Sequence, residues 1–338
     1  MNQMSNRLYP LKFEPIYQYR PWGGRQLAHF LSKPLPKNEP IGEAWLLSDR
    51  EDCASIVLDG SLKGYTLTDV LKDFPEEIMG KVFTSGNRFP LLLKFLDCKE
   101  ILSVQVHPSD NQKELIPKGD TGKTEAWVVL ETGKDSRIYA GLHKGTTKKN
   151  LLESIQDKSI SDRLHSFVPK AGDAVLIQSG TVHALKATVV FEVQENSDTT
   201  FKLYDWDRID AKTNKPRDLQ IEKALACIDF TKTEIGTVTP IDDAHDPNSK
   251  EQLIHCPQFV VWRTRSTRPF LVGRSGELRI LVCIDGKANL KNHTNDYPFH
   301  TGEVILLPAN LGTCSIEPIE KATVLEIGIP AYMKEIIL

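Results

Sequence analysis

Short runs of Val, Ile and Leu, punctuated by Gly, Pro, Asn and Asp, recur along this chain and constrain it towards curled antiparallel sheets. The runs at 54–58, 104–107, 126–130, 174–177, 189–193, 278–283, 304–307 and 323–327 each read as a strand. Strands this short at this spacing point to sandwiches or barrels rather than a doubly wound sheet. One run recurs. Gly172-Asp-Ala-Val-Leu-Ile-Gln-Ser-Gly-Thr-Val-His183 has a counterpart in Gly302-Glu-Val-Ile-Leu-Leu-Pro-Ala-Asn-Leu-Gly-Thr313. Gly180 in the first copy and Asn310 in the second both tolerate a left-handed turn. The second copy carries Thr313 where the first carries His183. Two barrels follow, of which one keeps a histidine that the other lacks.

Helical patterning is confined to a few patches. Residues 66–79 read as a helix capped by Thr66 or Thr68 and ended by Gly80. Residues 147–155 place Leu151, Leu152 and Ile155 on one face, and 218–228 do so with Leu219, Ile221, Ala224, Leu225 and Ile228, with Asp218 as N-cap. The last two flank the His183 strands and suggest a helical cap. The Asp-, Pro- and Asn-rich stretch 240–250 reads as a linker. The expected layout is mainly β, with two jelly-roll barrels. The first comprises 1–145 and 170–215, the helical insertion 146–169 and 216–239, and the second barrel 252–338.

With 338 residues and a net charge of −3, the chain offers no general attraction to nucleic acid or anionic membranes. No apolar run approaches the ~20 residues of a membrane span. The first seven residues have no signal-peptide character, so the expected location is the cytoplasm. The six cysteines form no C-x-x-C pair and read as reduced, mostly buried thiols.

Chemistry concentrates in a few polar residues on apolar strands. Gln105 and His107 are two apart and leave the same face of their strand. Glu125 lies in Lys-Thr-Glu-Ala-Trp, and His183 follows the Gly180 turn. One amide oxygen, two imidazoles and one carboxylate make a borderline-soft set suited to a zinc-like divalent ion with a position left for substrate. The other seven histidines lack such company.

The Gly172…Gly180…His183 spacing resembles the second signature of cupins, which are jelly rolls. Five further strings resemble type I mannose-6-phosphate isomerases: Arg88-Phe-Pro-Leu-Leu-Leu-Lys94, Leu102-Ser-Val-Gln-Val-His-Pro, Lys123-Thr-Glu-Ala-Trp127, Gly180-Thr-Val-His-Ala-Leu, and the long run from Glu192 to Arg208. Pro21-Trp-Gly-Gly24 and Gly42-Glu-Ala-Trp45 match that family's N-terminal part. The resemblance implies an aldose–ketose isomerase holding one zinc per chain through Gln105, His107, Glu125 and His183, and interconverting mannose 6-phosphate and fructose 6-phosphate.

By the same resemblance Lys202 and Lys123 serve catalysis, and Lys94 and Ser103 line the pocket. Arg208 contacts the sugar phosphate or pairs with Asp205 or Asp207. The family has Thr-Tyr-Arg where this chain has Thr200-Phe201-Lys202. Lysine keeps the charge, loses the planar fork, and titrates more readily when desolvated. Trp22, Trp45 and Trp127 read as core, Glu43 as a polar pocket residue, and Arg263, Arg265, Arg268 and Arg274 as a solvated face. The expected partner is a phosphorylated sugar, and the expected state a monomer or weak homo-oligomer. Two other readings use the same residues: a cupin oxygenase with iron on His107, Glu125 and His183, and a non-catalytic sugar-phosphate-binding cupin.

Overall fold

The structure is a computed structural model that describes residues 8–82, 88–242, 249–293 and 295–330. It is mainly β, built as two curled nine-stranded antiparallel sheets. The first sheet runs in the order Ala174–Ile177, Glu125–Leu142, His183–Glu195, Leu91–Cys98, Ile41–Leu47, Ile16–Gly24. The second repeats the plan as Val304–Leu307, Arg279–Asn292, Cys314–Gly328, Val260–Ser266, Lys250–His255, Ile241–Asp242. The Gly172 and Gly302 runs open the equivalent edge strands of the two sheets.

Strand alternation sorts side chains between two kinds of core. Val189, Phe191 and Val193 join a cluster that also holds Leu325 and Ile327 of the second sheet, so the two barrels share one core. Val190 points the other way, with Trp127, Val175 and Leu96, into the first barrel. Val324, Leu281 and Phe299 fill the second. A further cluster packs Leu151, Ile155, Ala224 and Leu225 of the two helices against Val104, Val106, Phe201 and Leu203. The helices therefore back the short strands Val104–Val106 and Phe201–Tyr204.

Several local expectations shift. The patch at 66–79 is two helices, Leu67–Asp73 and Pro75–Met79, because Pro75 cannot continue the first. Thr66 caps the first through a capping box with Asp69, while Thr68 donates to Asp49. The helix expected from Asp218 is Ile221–Cys227, with Gln220 at the N-cap making no side-chain cap bond. The strand at 54–58 shrinks to Cys53–Ala54 plus isolated bridges. A short helix, Leu27–Leu31, was not expected.

The stretch read as a linker carries Ile241–Asp242, which pairs with Lys250–His255 as an outer strand of the second sheet. Its residues 243–248 lie outside the described residues. Leu11–Lys12 pairs with Val304–Leu307, so the start of the chain covers an edge of the second barrel. Arg263 is not on a solvated face. It is 4% exposed, bonded to Glu251 and to the Gly172 carbonyl.

Candidate metal centre

Three strands bring the polar set together. His183 is the cross-strand partner of Gln105, and Gln105 that of Lys202, so all three point to one face. The Gly180 turn sets the alignment. Its N–H donates to the His107 carbonyl, and its φ of +81° is one that glycine adopts freely.

His107, Glu125 and His183 form a buried cluster whose ligand atoms lie within 4.8 Å of one another. His107 Nε2 is 3.4 Å from Glu125 Oε2 and His183 Nε2 is 3.3 Å from Glu125 Oε1. Each imidazole is oriented from behind. Nδ1 of His107 lies 3.0 Å from the Thr199 carbonyl and Nδ1 of His183 2.9 Å from that of Thr181. Donation at Nδ1 leaves both Nε2 lone pairs facing the carboxylate, the tautomer that binds metal. Burial, reinforced by the Lys123 ammonium, lowers the His107 pKa to about 3, and burial also lowers that of His183. Both imidazoles are thus neutral near pH 7. Glu125 Oε1 is buried without a hydrogen-bond donor. An orphaned carboxylate oxygen between two neutral imidazole nitrogens fits a divalent cation.

Gln105 turns Nε2 towards His183 Nε2 at 3.1 Å, while its Oε1 accepts from Ser103 at 3.4 Å. Its oxygen reaches the cluster only if the amide rotates half a turn. Lys123 Nζ donates to Glu125 Oε2 at 2.6 Å and lies 3.2 Å from His107 Nε2. Burial opposes its charge, but the carboxylates of Glu125 and then Glu192 outweigh that and hold it protonated.

A row of paired residues crosses the barrel interior beside this cluster: Trp45, Lys94, Glu192, Trp127. Lys94 is not at an exposed strand edge. It is 3% exposed, with Glu43, Glu192 and Asp198 at 3.6, 3.7 and 3.9 Å. Glu43 is fixed by Arg20 and by the Trp45 indole; burial opposes its charge, but the Lys94 and Arg20 cations, with these hydrogen bonds, hold its pKa at about 2. Glu192 accepts from Trp127 Nε1 at 2.8 Å. Burial first, and then the Glu125 charge, push its pKa up. Sequence reading did not single out Glu192. The available signal was an acid in mid-run of Val-Val-Phe-Glu-Val, since a carboxylate is rarely buried there without partners.

Lys202 is half-buried. Burial and then Arg217 lower its pKa, and its ammonium makes no ion pair among the described residues. Arg208 is tied elsewhere. It pairs with Asp205 at 3.3 Å and donates to the Ile101 carbonyl, while Arg217 grips the same Asp205 with two bonds. Asp207 pairs with Lys158 instead. Together with Trp206 Nε1 donating to the Leu102 carbonyl, Arg208 clamps the segment that leads to Ser103 and Gln105.

Two further supports were invisible in the sequence. Asp120 accepts from Arg50 and from the Thr199 hydroxyl, which fixes the backbone carbonyl that orients His107. Glu195 accepts from the Thr124 N–H at 2.6 Å, at the start of the Glu125 strand. Burial and then Asp110 raise its pKa to about 8.

Comparison with known proteins is consistent with these contacts. A sequence model of the catalytic domain of type I phosphomannose isomerase matches residues 10–123. Mannose-6-phosphate isomerase ManA of Bacillus subtilis is 34% identical over 313 residues, spanning 91% of this chain and 96% of that protein. Mannose-6-phosphate isomerase of Streptococcus mutans is 30% identical, spanning 88% and 92%. The crystal structure of the mannose 6-phosphate isomerase from Bacillus subtilis superposes with a TM-score of 0.86 at 28% identity, covering 95% of this chain and all of the other. The apo form of the Salmonella typhimurium enzyme, at 15% identity, shares the fold with a TM-score of 0.75, covering 95% and 99%.

Proposed function

The chain belongs to the type I mannose-6-phosphate isomerase family, and from that premise we propose how its own residues interconvert mannose 6-phosphate and fructose 6-phosphate. The observation that carries the reading is the orphaned Glu125 oxygen set between two neutral imidazoles, inside a barrel lined by lysines. His107, Glu125 and His183 hold zinc, one per chain, with Gln105 completing the set once its amide turns. A zinc ion held there would supply Lewis-acid polarisation of the substrate carbonyl.

The isomerisation moves two protons. One leaves C2 as its C–H electron pair becomes the C1=C2 bond of an enediol, and a proton returns to C1. The other passes between the two oxygens, so that the C1 carbonyl becomes a hydroxyl and the C2 hydroxyl a carbonyl. Two titrating groups are needed on the substrate face. Lys202 and Glu192 are displaced towards neutrality from opposite sides, the lysine downward and the carboxyl upward. That pairing is the signature of an acid–base couple. Lys123, held charged by Glu125, offsets negative charge on the enediol oxygens. Ser103 and Lys94 line the pocket for the sugar phosphate. Arg208 acts at one remove, by holding the Ser103–Gln105 segment in place.

All six cysteines are free thiols and no described helix is long and apolar enough to cross a membrane, which fits a cytoplasmic enzyme. The oxygenase reading uses the same three ligands, but the relatives compared above are mannose-6-phosphate isomerases. The test is turnover of mannose 6-phosphate by chelator-treated protein before and after zinc is restored. Zinc-restored turnover is the expected result, and full turnover by metal-free protein would overturn the site.

A further inference from the structure

The register of the two sheets places Glu125, Glu192 and Lys94 of the first barrel's site on the second barrel. Ile177 pairs with Glu125, and its counterpart Leu307 pairs with Arg279. Glu192 pairs with Trp127 and Lys94, and Glu326 pairs in the same way with Leu281 and Trp262. Arg279 thus takes the place of Glu125, Glu326 that of Glu192, and Trp262 that of Lys94. A buried carboxylate of the metal cluster has become a buried guanidinium. The sign of the site is reversed.

This position is open. Two adjoining cavities of about 270 and 430 Å³ meet there and share Trp262, Arg274 and Arg279. Gln194 of the first barrel corresponds to Gly328, and Trp262 and Arg279 pack into the place its side chain would take, so that a Cβ there would lie 3.0 Å from the Trp262 ring. Among the described lining residues, cations outnumber acids. Lys81, Arg274 and Arg279 all converge on the one carboxylate of Glu277, at 3.1, 3.5 and 2.6 Å. Arg279 and Lys250 share Glu326. With Asp242 on the outer wall of the larger cavity, the described lining residues comprise four cations against three acids. Arg274 and Lys81 are mostly exposed and share the single Glu277 carboxylate with Arg279, so a net positive charge faces the mouth. Trp262, partly exposed, supplies an aromatic wall.

We propose that the second barrel keeps a ligand pocket around the position that Glu125 holds in the first barrel, and that it takes a phosphate-bearing small molecule without metal. Arg274 and Lys81 hold the phosphate, in the geometry that guanidinium and ammonium groups favour. Trp262 packs against the body of a sugar ester. The pocket contains none of the residues assigned to isomerisation.

The test uses the zinc-loaded protein and two probes, mannitol 1-phosphate, which has no carbonyl to isomerise, and inorganic phosphate. Calorimetric titration should show one equivalent of mannitol 1-phosphate per chain that is weakened at least tenfold in Arg274→Ala and restored in Arg274→Lys, with turnover unchanged in both. That equivalent should persist in His183→Ala, which separates it from the first barrel whatever the first barrel does. Inorganic phosphate binding there as tightly as the ester would identify free phosphate as the ligand, and binding tenfold weaker would identify the sugar ester. An Arg274→Ala protein that binds as many equivalents as the parent, with the same affinities, overturns the proposal.

Discussion

Lys202 lies directly across the strand pair from Gln105, with its ammonium on the face that carries His183. Removing that ammonium should spare the metal and strike the chemistry. Lys202→Ala is expected to bind zinc normally and lose about 100-fold or more in kcat. Lys202→Arg keeps the charge but stays protonated at neutral pH, so it separates charge from proton transfer. A change in KM with kcat intact would make Lys202 a binding residue only.

Glu192→Gln keeps an oxygen for the Trp127 indole but cannot titrate. The expected outcome is bound zinc, an intact fold and a kcat lowered by about 100-fold. Its pH–rate profile should also lose one limb. An unchanged profile would leave Lys202 to carry both protons with another partner.

His183→Ala removes one neutral nitrogen and leaves Glu125 beside a single imidazole. Metal content measured after dialysis should fall to a small fraction of one per chain, and activity should fall with it. Metal retained at one per chain would move the site elsewhere.

Asp120 never reaches the cluster, yet it fixes the Thr199 carbonyl that orients His107. Asp120→Ala should weaken zinc by about tenfold in a chelator competition, the usual cost of losing an outer hydrogen bond to a ligand. Arg50 should give a similar, smaller effect through the same carboxylate.

The Glu195 carboxyl titrates at about 8 in the folded protein, through burial and then Asp110. In the unfolded chain a glutamate titrates near ~4.3. Below that value both states hold the proton. Between it and pH 8 only the folded state does, so stability falls as pH rises through this window and the loss is complete above it. Glu195→Gln can accept from Thr124 and donate to Asp110 without titrating. Its unfolding free energy relative to the parent should therefore climb between pH 5 and 9, by an amount on the order of 4 kcal/mol, read as a melting temperature that rises relative to the parent's. Parallel melting curves across that range would show that Glu195 ionises normally.

Alternation and turn chemistry were legible in the chain itself. The strands around 104, 126, 174, 189, 304 and 323 could be read because period-two burial writes itself into local sequence. The Gly172 and Gly302 copies disclosed two barrels for the same reason, and motif order disclosed the family. The short strand at 54 and the helix cap at 218 could not be read, because local propensity there yields to packing against distant elements. Charge partners were equally hidden. Lys94 beside Glu43 and Glu192, and Arg279 standing where Glu125 stands in the other barrel, are products of strand register, and Arg208 clamped on Ile101 is a product of loop packing. Register joins residues that are tens of positions apart, and no local pattern encodes that distance. The sequence by itself determined which side chains could hold a metal. The tertiary structure decided which of them meet, which way each imidazole points, and which neighbouring charges shift their protons.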